Sequence, residues 1–66
     1  MRTMIFEIVI PDWAYYIATD SGGECFAYDN EPEEGALIWI PDCGKCEQIA
    51  LCEPPRNWKR ELYTVK

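Results

Sequence analysis

Histidine is absent from the 66-residue chain, and residues 3–44 contain neither Lys nor Arg. The first absence removes every Ser–His and Cys–His catalytic pair and every zinc site that needs an imidazole. The second leaves a net charge of -6 and a pI near 4.3. An ordinary DNA- or RNA-binding module needs net positive charge to neutralise phosphates, so the balance argues against that class. No apolar run approaches the roughly 20 residues that span a bilayer. No glycine-rich phosphate loop is present, since Gly22-Gly23 reads as a turn. The N-terminal apolar stretch is interrupted by Glu7 and lacks a small-residue cleavage site. It is therefore not read as a signal peptide, and the expected compartment is the cytosol.

What is present suits one small, dense domain over residues 1–66. Hydrophobic residues make up 48% and aromatics 14%, which argues against a disordered chain. A chain this short needs either a dense core or a staple. Residues 4–10 (MIFEIVI), 13–19 (WAYYIAT), 24–29 (ECFAYD) and 36–40 (ALIWI) read as strands. Residues 30–35 read as a polar loop. Residues 47–52 (EQIALC) fit either a short helix before Pro54-Pro55 or a fifth strand pairing back on the fourth; the shortness of the run and the Gly44-Lys45 centre favour the strand. Asp20-Ser21-Gly22-Gly23 reads as a four-residue hairpin loop. That loop would set Thr19 opposite Glu24, Ile17 opposite Phe26 and Tyr15 opposite Tyr28, with Ala18, Cys25, Tyr16 and Ala27 on the other face. After Pro54-Pro55, Asn57 reads as an N-cap, with Trp58, Leu62 and Val65 on one helical face. The expected fold is α+β: an antiparallel β-meander of four to five strands with one short C-terminal helix. Trp13, Trp39 and Trp58 fall on these elements and read as core.

Charge is segregated along the chain. Residues 3–44 hold nine acids and no base, whereas residues 45–66 hold five bases and three acids. An average surface intersperses the two signs. Asp20 and Glu24 flank the hairpin tip, and Asp29, Glu31, Glu33 and Glu34 follow; these six are the candidate partner-binding residues. Clustered carboxylates attract a basic partner and speed its association. Basic partners in a cell are mostly nucleic-acid-binding proteins, although an acidic run also serves simply as a solvated loop.

Four cysteines need an account. In a reducing cytosol disulfides explain them poorly. Cys43 and Cys46 form a CxxC pair, and only Cys25 and Cys52 could complete a four-thiolate zinc site, without a second CxxC. A thioredoxin-like reading needs a βαβ framework that the chain is too short to build. Cys25 and Cys52, each beside Ala, read as small hydrophobes. No catalytic residue is assigned, because a hydrolase needs a cleft that 66 residues hardly enclose, and no metal ligand or cofactor is assigned, because the cysteine spacing lacks a second CxxC.

Two segments, WAYYIATDSGGECFAYDNEP and PRNWKRELYTV, resemble a group of short phage and prophage proteins. The likeness rests on the aromatic–Ala–Asp–Gly hairpin, Ala27-Tyr28, Pro32 and the Asn57-Trp58-Lys59 run with Leu62. CGKC is not part of that pattern. Size and charge also resemble anti-CRISPR proteins that mimic DNA, an analogy rather than a motif. Together these imply a monomeric, non-enzymatic inhibitor in the bacterial host cytoplasm. It would block the DNA-recognition surface of a CRISPR effector subunit, with no direct nucleic acid or membrane contact. The alternative is a zinc- or thiol-stapled phage accessory domain without DNA mimicry.

Overall fold

The computed structural model describes residues 9–65. The strand expected over 4–10 lies mostly outside the described residues; Val9 and Ile10, its described end, are exposed and unpaired as strand. Six strands follow: β1 Tyr16–Thr19, β2 Glu24–Tyr28, β3 Glu33–Glu34, β4 Trp39–Ile40, β5 Cys46–Leu51 and β6 Leu62–Thr64. The main antiparallel sheet has the order β5-β2-β1-β6, and β3 pairs with β4 as a separate arm. Leaving the arm aside, three successive neighbours are followed by a strand that returns beside the first, which is Greek-key order.

The hairpin between β1 and β2 is tighter than the sequence suggests. Gly23 N–H donates to Asp20 O at 3.0 Å and Asp20 N–H to Glu24 O at 2.9 Å, leaving three residues in the loop. Gly23 has φ +93°, the left-handed geometry that closes such a loop. A side chain there would also collide with the Cys52 carbonyl. The register is therefore Thr19 opposite Cys25, Ala18 opposite Phe26, Ile17 opposite Ala27 and Tyr16 opposite Tyr28. One residue of slip changes every partner. Tyr16, Ala18, Phe26 and Tyr28 now share a face, and the small Ala18 leaves room above it for Trp39.

The expected C-terminal helix is overturned, and with it the α+β class: the described chain is nearly all β. Residues Trp58–Arg60 form a single 3-10 turn, and β6 then pairs along β1. Asn57 makes no side-chain cap. So short a segment scarcely repays helix nucleation, whereas β1 offers a free edge. Thr19 N–H donates to Glu61 O at 3.1 Å, and Val65 N–H to Tyr15 O at 2.8 Å, extending the ladder at both ends. Trp58 and Leu62 still reach the core, but from a turn and a strand.

The fifth strand is also differently partnered. β5 pairs with β2, not β4, with a bulge where Cys25 gives way to Phe26. The stretch expected as a polar loop supplies β3, and only Trp39–Ile40 of the expected fourth strand is extended against it. Trp39 and Trp58 meet edge to face, centroids 6.0 Å apart and planes at 88°, joining the arm to the 3-10 turn that leads into β6.

Candidate protein-binding surface

The six acidic residues singled out from sequence divide into two kinds. Asp20 is 4% exposed, and its Oδ1 accepts the Trp39 N–H at 2.7 Å. Trp39 Nε1 donates to the neighbouring Thr19 carbonyl at 3.0 Å. Asp20 is thus a clasp between hairpin and arm, closed to a partner. Asp29 is half-buried; its Oδ1 accepts the Lys45 N–H at 2.9 Å while its own N–H donates to Lys45 O at 3.1 Å. Asn30 Nδ2 donates to Cys43 O, fixing the same corner. Gly44, at φ +126°, passes so close to the Asp29 carboxylate that no side chain fits. Glu24 is half-buried at the hairpin tip.

Glu31, Glu33 and Glu34 are exposed. They lie on or beside β3, where alternation sends Glu33 and Glu34 to opposite faces. Lys59 Nζ lies 3.7 Å from Glu34 Oε2 and 5.8 Å from the Trp58 ring. Both members of the ion pair are about half exposed, so it contributes little. Of the six candidates, the three that are fully exposed therefore lie on the arm.

The arm also carries residues that sequence reasoning placed in a strand and did not mark as functional. Leu37, Ile38 and Ile40 are exposed, while Trp39 between them is buried. Their outward placement depends on contacts from Asp20 and Ser21, far away in the chain, and no local pattern announces it.

The four sulfurs are not gathered. Cys25 and Cys52 sit at the Gly23 end of the sheet, since Cys25 faces Thr19 and Cys52 N–H donates to Gly23 O at 2.8 Å. Cys46 faces Tyr28 at the far end of β2, beside Cys43. The length of β5, about 3.3 Å per residue, separates the two pairs. All four are free thiols, Cys25 buried and the others exposed. Cys52, expected as a packed hydrophobe, is on the surface. Among the described residues, no group of three or more His, Cys, Asp and Glu side chains could hold a metal ion.

Burial pushes the Cys25 thiol up, partly countered by its hydrogen bond with Thr19. Burial likewise raises the Tyr28 phenol, helped by the nearby Asp20 charge. The Tyr63 phenol donates to Glu61 Oε2 at 2.5 Å, a bond that raises its pKa.

No helix among the described residues is long and apolar enough to cross a membrane. No family model, curated protein or solved structure matches this chain.

Proposed function

We propose that this protein is a stoichiometric inhibitor that occupies a basic, nucleic-acid-binding surface of another protein. The target class is the DNA-recognition face of a CRISPR effector complex, met in a phage-infected bacterial host. The observation that carries this reading is the exposure of Glu31, Glu33 and Glu34 on one arm, within a stretch of 42 residues, 3–44, that has no Lys or Arg. Carboxylates held there can meet the Lys and Arg side chains that otherwise hold phosphates, and charge-assisted pairs of that kind are among the stronger hydrogen bonds. The proposal moves the contact away from Asp20 and Asp29, whose oxygens are engaged within the fold.

The test is competition with labelled target duplex for purified, guide-loaded CRISPR effector complexes at low and high salt. Wild-type protein should displace duplex, less so at high salt because the complex is steered by charge. Glu31→Lys and Glu33→Lys should each weaken competition by about tenfold or more, since a reversed charge repels the partner. Variants that compete as well as wild type would refute the reading.

A further inference from the structure

The turn between β3 and β4 is fixed by contacts that do nothing to bury its own side chains. Ser21 donates twice to the Leu37 carbonyl, from its N–H at 3.1 Å and from Oγ at 2.6 Å. One residue earlier in the chain, Asp20 holds the Trp39 N–H at 2.7 Å. Within the arm, Gly35 N–H donates to Ile38 O at 3.0 Å, and a side chain at Gly35 would overlap that carbonyl. The backbone from Gly35 to Trp39 is thus held from inside the arm and from the hairpin tip.

On that backbone and the residue after it, Trp39 turns inward while three aliphatic side chains face water. Leu37 is 68% exposed, Ile38 50% and Ile40 47%. The need for a core explains Trp39 but not three aliphatic groups kept from burial that each would favour. Scattered exposed aliphatics are ordinary; three within four positions, on a pinned turn and the strand that leaves it, are a local concentration of the kind that marks binding sites. A backbone ordered before contact also lowers the entropy cost of binding.

We propose that Leu37, Ile38 and Ile40 are the apolar anchors of a docking surface for a basic protein segment with an apolar face of its own. Charge selects that occupant. Glu31, Glu33 and Glu34 are exposed on the same arm, and Lys59 pairs with Glu34. A second copy docked through the same face would bring like carboxylates together, and an anionic lipid surface would repel them. A Lys- or Arg-bearing segment with Leu or Ile between its charges satisfies both halves of the surface. This deepens the inhibitor reading and rests on it: the glutamates steer the partner, and the aliphatic anchors slow its departure.

The experiment titrates the isotope-labelled full chain with three synthetic peptides of about 20 residues, a length at which helices form. One alternates Leu and Lys at helical spacing, one replaces every Leu with Ser, and one replaces every Lys with Glu. The Leu/Lys peptide should shift the amide signals of residues 31–40, whereas the Leu/Glu peptide should not. Leu37→Ser combined with Ile38→Ser should weaken Leu/Lys binding by about tenfold, whereas Val9→Ser should not. These positions are exposed, so the thermal midpoint of each variant should stay near wild type.

Equal binding of the Ser/Lys peptide, or shifts centred on Leu51 or Tyr63, would overturn the proposal. Concentration-dependent shifts at residues 37–40 without peptide would show a second copy on the surface and overturn it too. The effector competition separates this proposal from the reading beneath it. Peptide binding through residues 37–40 with no effector competition would sink the inhibitor reading and leave the docking surface standing. Competition lost on Glu33→Lys but unchanged in the Leu37/Ile38 double variant would sink the docking surface alone.

Discussion

Asp20 and Glu33 are both acids in an uninterrupted acidic stretch, yet they do opposite things. Glu33 stands in water; Asp20 is sealed between the hairpin and the arm, its carboxylate joined to the Trp39 N–H. Burying a carboxylate is costly unless it is hydrogen-bonded, so Asp20 is retained only because that bond forms. Removing it leaves the Trp39 N–H buried without an acceptor. Asp20→Ala should therefore cost about 1–3 kcal/mol, with Asn recovering part because an amide oxygen still accepts. Glu33→Ala should fall within the scatter of surface changes. Urea unfolding followed by tryptophan fluorescence measures all three, and an Asp20→Ala midpoint equal to wild type would remove the clasp from this account. The distinction was not legible in the sequence, because the partner of Asp20 lies 19 positions away and nothing local marks it.

At the scale of elements, local chemistry was legible and pairing was not. The Gly22-Gly23 turn and the strands on either side follow from residue type alone. The register does not, because a three-residue and a four-residue loop fit the same Asp-Ser-Gly-Gly string, and the left-handed Gly23 decides between them. The C-terminal segment shows the other limit. Trp58 and Leu62 sit four apart, a spacing that suits one face of a helix and also, once a 3-10 turn intervenes, the inner face of a strand. The free edge of β1 breaks the tie, and β6 fills it. Leu62 is half-buried against the core formed by Ala18, Tyr28 and Trp39. Leu62→Ala should therefore cost about 1–2 kcal/mol, less than for a fully buried leucine. Amide exchange should rise along β1 and β6 before β2 and β5, since the β6 edge loses its anchor. A uniform rise across all four strands would show that β6 is not a separate unit.

At the scale of the whole molecule, the core formed by the described residues is thin. Its buried hydrophobic members there are three alanines, Cys25, Tyr28 and Trp39, and two of these, Cys25 and Tyr28, can ionise. This sets how the molecule responds to alkali. Below the pKa of an exposed thiol, about 8.5, Cys25 is protonated in both folded and unfolded chains, and its contribution is fully present. As pH rises past that point the unfolded chain releases the proton, while burial holds it on Cys25 in the folded chain. Ionisation then lowers the free energy of the unfolded state but not of the folded one, so stability falls until pH passes the folded pKa. Tyr28 repeats the sequence from about pH 10, again because burial raises its pKa. The urea midpoint should thus hold steady near neutrality, decline from about pH 8.5 and decline faster above about pH 10. Cys25→Ala should delete the first decline, and Tyr28→Phe should flatten the second, each compared with its own midpoint at neutral pH. A profile that stays level to pH 10 in the wild type would mean that Cys25 meets solvent freely, contrary to its place between Thr19 and β5.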